Sequence, residues 1–107
     1  MTQKEFIKVL DEKGYYYEIE GDKIVVTQEN ADLDTLTSLP PGVEFRNGGY
    51  VWLTSLTSLP PGVEFRNKER VFLASLIGVW SNEWKGNIEG VDSKRLLNLM
   101  ISKGMFI

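Results

Sequence analysis

The chain has 107 residues, a length that suits one domain. Hydrophobic residues make up 42% and charged residues 25%, a composition that excludes the disordered class. There is no Cys and no His, and the net charge is −3, so disulfides, thiol or histidine catalysis and the usual zinc ligands are all excluded.

No third of the chain carries a marked basic excess, so the positive footprint of nucleic-acid binding is missing. No apolar run approaches the roughly 18 residues of a membrane span. The opening residues, MTQKEFIKVLDEKG, are amphipathic and charged rather than signal-like. A cytoplasmic protein is expected, with no cofactor, no metal, no nucleic acid and no membrane among its partners.

Three segments follow in chain order. Residues 1–30 read as a helix and a hairpin. Thr2-Gln3-Lys4-Glu5 fits a capping box. Phe6, Val9 and Leu10, with Ile7 beside them, form an apolar stripe, and Gly14 suits a left-handed stop. YYYEIE and KIVVT flank Gly21-Asp22, which predicts a two-residue hairpin. Its register pairs Tyr17 with Val26 and Ile19 with Ile24 on one face, and Glu20 with Lys23 on the other.

Residues 31–77 hold a repeat. LTSLPPGVEFRN at 36–47 recurs at 56–67, twenty positions on. Aligned at that period, Leu33, Leu53 and Leu73 share a column, as do Leu36, Leu56 and Leu76, Val43 and Val63, and Phe45 and Phe65. These columns stay apolar and are expected to face the core. Each copy then holds two short strands, with Leu-Pro-Pro-Gly as one corner and Asn47-Gly48-Gly49 as the other, where Asn and Gly tolerate positive φ. A third column holds Asp32, Trp52 and Phe72. Strand side chains alternate, so this column points outward with Tyr50.

Residues 78–107 read as a loop around Gly86 and Gly90, then a helix. Asp92 is its expected N-cap, Leu96, Leu97, Met100 and Ile101 its stripe, and Gly104 its stop. The whole is a single domain, predicted as α+β: a 20-residue-repeat β-solenoid capped by an N-terminal helix-hairpin and a C-terminal helix.

Leu56-Thr57-Ser58-Leu59-Pro60, at this period, resembles the bacterial-type leucine-rich repeat over residues 31–77. The family's Asn is followed two places on by Leu, whereas Asn47-Gly48-Gly49 and Asn67-Lys68-Glu69 depart from that pattern. A horseshoe and a flatter two-sheet solenoid both remain open. Residues 36–50 and Gly86 to Asn98 also resemble small proteins of bacteriophages and prophages. That group has no assigned activity, so the likeness implies architecture and context alone.

Candidate site residues are few. Tyr50, Trp52 and Phe72 form an outward aromatic cluster, a contact surface for a protein partner or a second copy. The other arrangement has the C-terminal helix folded back over them. Glu44, Arg46, Glu64 and Arg66 form outward charge columns; Arg46 and Arg66 are counted with the interaction surface, against the simpler reading of a solvated face. Tyr15, Tyr16 and Tyr17 could stack on bases, but no basic groove accompanies them. Trp80, Trp84 and Lys85 suit a cation–π contact. Lys94 and Arg95 sit in the first turn of the last helix, where cations are unfavourable, a hint of an acidic partner. Asp32 and Asp34, two apart on one strand face, could be paired carboxylates for acid–base work, but no pocket signature joins them. The expected function is a non-enzymatic protein-interaction module, of a phage type that binds a host protein. The alternative is a structural, self-assembling component.

Overall fold

The computed structural model describes residues 1–75, 86–88 and 91–106. Leu76, Trp80, Trp84, Lys85 and Gly90 lie outside the described residues.

Helix α1 spans Gln3–Lys13 and starts as the capping box dictates: Glu5 N donates to Thr2 Oγ1, and Thr2 N to Glu5 Oε1, both at 3.1 Å. Gly14, at φ 69°, ends it in the left-handed region. Phe6 and Leu10 are buried. The hairpin follows as strands β1 (Tyr17–Glu20) and β2 (Lys23–Val26), in the predicted register throughout. Gln3 ties α1 to the rest. Its Nε2 donates to the carbonyls of Asp22 and Pro41, at 2.8 and 2.9 Å.

The repeat supplies β3 (Ala31–Asp32), β4 (Val43–Phe45), β5 (Val51–Trp52), β6 (Glu64–Phe65) and β7 (Val71–Leu73). Strands one period apart pair in parallel: Phe45 opposite Phe65, Val51 opposite Val71 and Trp52 opposite Phe72. The odd and even strands separate. One sheet runs β1-β2-β4-β6; the other runs β3-β5-β7-β8, where β8 is Gly86–Ile88. Both sheets bury their inner faces in one core that holds Val43, Phe45, Val63 and Phe65 with Leu33, Val51, Leu53 and Leu73. The Phe45 and Phe65 rings stack at 5.2 Å and 6°. The inward columns therefore stand, apart from the undescribed Leu76.

The solenoid expectation is corrected. Both sheets are mixed, because the antiparallel strands β1 and β8 flank the parallel pairs. The strands are two to four residues long, and the molecule measures 33 × 25 × 24 Å, with no long axis along which copies stack. The result is an α+β globule of two helices and two short-stranded sheets among the described residues. The physical reason is length. Two copies and part of a third are too few to set a superhelix, and the flanking elements close the core with Phe6, Leu10, Ile24 and Val26 on one side and Leu97, Met100, Ile101 and Phe106 on the other.

Three local expectations are also corrected. Gly86 lies in a strand rather than a loop, with Phe72 opposite Asn87 and Leu73 opposite Gly86. Helix α2, Val91–Ser102, already contains Asp92, which is therefore not its N-cap. The stripe of α2 is Leu97, Met100 and Ile101; Leu96 is 48% exposed. At the corners, Gly42 and Gly62 hold φ 81° and 97°, as Pro-Pro-Gly implies. The Asn47-Gly48-Gly49 corner uses no positive φ. Its glycine serves close approach: a Cβ on Gly49 would collide with Asn30 Oδ1 and the Glu29 carbonyl. Asn47 is buried there, its Nδ2 donating to the carbonyls of Glu29 and Tyr50, at 2.9 and 3.2 Å.

The free edge of β6 is covered by α2. Asn98 acts as a surrogate peptide: Phe65 N donates to its Oδ1 at 2.8 Å, and its Nδ2 donates to Phe65 O at 3.0 Å. An uncovered strand edge is a template for wrong pairing. Asn98→Ala should cost about 1–3 kcal/mol in chemical denaturation, because two half-buried backbone groups lose their partner. A loss no larger than that of a surface alanine substitution would show that the edge is held by apolar packing alone. No helix among the described residues is long and apolar enough to cross a membrane.

Candidate functional site

Alternation along β5 and β7 sends Val51, Leu53, Val71 and Leu73 inward and leaves Trp52 and Phe72 on the outer face. Parallel pairing in register then brings those two rings together. They stack at 5.6 Å and 5°, and Tyr50 joins them at 5.5 Å from Trp52 and 6.0 Å from Phe72. Tyr50 is 36% exposed, and the other two rings are half-buried. Helix α2 does not fold over this ladder. It packs on β6, and its hydrogen bonds reach Phe65 and Asn67 on the other sheet.

Arg46 and Arg66 stand elsewhere, on the outer face of the β1-β2-β4-β6 sheet. The structure thus brings three of the five predicted surface residues together and separates the two arginines from them. Arg46 Nε donates to Glu44 Oε2 at 2.6 Å, and its terminal nitrogens donate to Glu20 at 2.8 and 3.2 Å. Arg66 Nε donates to Glu64 Oε2 at 2.9 Å. Lys23 Nζ lies 3.6 Å from Glu44 and 3.5 Å from Glu64, bridging the two stacked carboxylates. Glu44, expected outward and solvated, is only 3% exposed beneath this network. Sequence reasoning missed Lys23 and Glu20 as its members. The signal was present in part: the hairpin register sets them opposite each other, and parallel pairing of β2 with β4 sets Val25 beside Glu44, so that Lys23, two residues earlier on the same face, reaches Glu44 diagonally.

The network gives a pH dependence. The Arg66 hydrogen bond, aided by Lys23, holds the Glu64 carboxyl below its ordinary value of 4.5. A depressed folded-state value means stability that is present above the unfolded value and lost as pH falls through the folded one. The stability difference between wild type and Glu64→Gln should be constant above about pH 5 and shrink in more acid solution. Melting temperatures across that range check it; a difference independent of pH would remove the ion pairs from the account.

The remaining candidates are engaged structurally. Tyr17 Oη donates to Asp11 Oδ1 at 2.9 Å, Tyr15 Oη accepts from Asp32 N at 3.3 Å, and Tyr16 is 74% exposed. The three tyrosines therefore do not share a platform. Asp32 Oδ1 accepts from Asp34 N at 3.2 Å, and Asp34 Oδ1 accepts from Thr54 N and Oγ1 at 2.9 and 2.8 Å. Those carboxylates brace turns. Lys94 is buried on α2, with Nζ donating to the Asn67 carbonyl.

No protein-family model, no curated protein and no solved structure matches the chain.

Proposed function

We propose that the chain is a non-enzymatic protein-interaction module and that its contact surface is the ladder of Tyr50, Trp52 and Phe72. One observation carries this reading: three rings cluster on an outward sheet face, each within 6.0 Å of the other two, and burial of Trp52 and Phe72 is only partial. An apolar cluster that the fold leaves half in water is what a partner covers. Trp and Tyr are also the residues that most often dominate binding energy at interfaces. The carboxylates that acid–base chemistry would need are bound up in turns, which supports a role without catalysis. The likeness to small phage proteins favours a bacterial host protein as the partner and the cytoplasm as the place of action.

Affinity capture from bacterial lysate tests this. Wild type and Ile19→Ser, which changes an exposed apolar residue on the other sheet, should retain the same protein, and Trp52→Ser should lose it. Sedimentation of the purified chain separates the alternative. A dimer that Trp52→Ser dissolves would make the occupant a second copy and the protein a self-assembling component.

A further inference from the structure

On the other side of the molecule from the ladder's sheet, β6 and the start of α2 enclose a cleft of about 570 Å³. That volume is in the range of clefts that hold small ligands. Its charge is unlike that of the chain as a whole. Among the described residues, Arg66, Lys68, Lys94 and Arg95 line it against one carboxylate, that of Glu64, in a protein of net charge −3. Glu64 is already held by Arg66 at 2.9 Å and Lys23 at 3.5 Å. The Asn98 amide is committed to the Phe65 backbone.

Lys94 is the unusual member. Its residue is 6% exposed, and Nζ donates to the Asn67 carbonyl. An ammonium has three hydrogens to donate. Among the described residues Lys94 has no ion pair, and burial pulls its pKa down, with Glu69 only partly opposing. A buried cation with no carboxylate at ion-pair distance among the described residues is costly. The cost is compounded by position, because Lys94 closes the first turn of a twelve-residue helix, at the positive end of its dipole. Lys68 and Arg95 are exposed and also lack an ion pair among the described residues. Buried Lys94 and the exposed cations Lys68 and Arg95 thus converge on one cleft, where a single negative group would relieve their mutual repulsion.

We infer that this cleft is an oxyanion-binding site, in which a carboxylate or phosphate group sits against Lys94 with Lys68 and Arg95 as the accessible cations. The Lys94 ammonium supplies the desolvated charge, which acts at low effective dielectric. The exposed pair supplies attraction that salt screens. The site is independent of the aromatic ladder, so either can fail without the other.

The test is a titration of the ¹⁵N-labelled full chain at low salt, followed by amide shifts. One arm uses inorganic phosphate and the other a capped triglutamate peptide. At least one probe should shift the amides of Lys68, Lys94 and Arg95 saturably. Lys94→Met should weaken that binding by about tenfold or more, as expected for a hydrogen bond to a charged group. Arg95→Gln should weaken it by about two- to fivefold, and Lys8→Met, on α1, should leave it unchanged. Saturation by phosphate alone identifies a free anion as the ligand, and saturation by the peptide identifies an acidic segment. If neither probe saturates, or if Lys94→Met and Arg95→Gln bind as wild type does, the site does not exist. Should Lys94→Met fail to fold, the exposed Arg95→Gln decides.

Discussion

Phe65→Ala is expected to lower the unfolding free energy by about 3–5 kcal/mol, the range for emptying a packed aromatic site. Phe65 is 1% exposed, and its ring lies flat on Phe45 at 5.2 Å. It also occupies the last strand of its sheet, beneath the helix that covers that edge, and both of its backbone groups are bonded to Asn98. Collapse around the cavity would disturb those two bonds, so little relaxation is open to the site. Phe72→Ala makes the matched comparison. Phe72 has the same side chain and the same parallel neighbour relation, to Trp52, but it faces outward and is half in water. Its loss removes stacking and part of a buried area, and should cost distinctly less. Urea denaturation of both variants ranks them. A Phe72→Ala cost equal to or above that of Phe65→Ala would mean that the inward and outward faces are reversed.

Local chemistry was legible residue by residue. Thr2 and Glu5 announce the capping box, Gly21-Asp22 the hairpin and its register, and Pro-Pro-Gly a corner, whereas the positive φ falls on Gly42 and Gly62 rather than on Gly48 or Gly49. The 20-residue period places Leu33 above Leu53 and Phe45 above Phe65, and it sends Trp52 and Phe72 outward together. What the period cannot encode is closure. It says that copies pair side by side, and nothing about the antiparallel strands that flank them or the number of copies needed for an elongated form. Gly86 was misread because glycine punctuates loops in isolation, whereas an open sheet edge recruits backbone regardless of side chain. Glu44 was misread because alternation predicts which face a residue takes, but not what lies across that face. Lys23, from the neighbouring strand β2, and Arg46, two residues further along the same segment, cover it. Asn98 carries no sequence signal of its role, since only the position of β6 makes its amide a strand surrogate. Lys94 was noticed for an unfavourable position in its helix, and the structure adds the burial that makes the position consequential.

The aromatic cluster carries the functional reading, and Trp52 is its largest ring, stacked on Phe72 and in contact with Tyr50. Large rings at the middle of an interface are where binding energy concentrates, with truncation costs of about 2 kcal/mol or more. The same substitution should leave the fold standing, because Trp52 is only half-buried and its inward neighbours Val51 and Leu53 hold the strand in the core. The direct measurement is the dissociation constant of the captured partner for wild type and for Trp52→Ser, with the melting transition of each recorded alongside. The account predicts a cooperative melt in both and binding weaker by about thirtyfold or more in the variant. Unchanged affinity in a folded Trp52→Ser would contradict it.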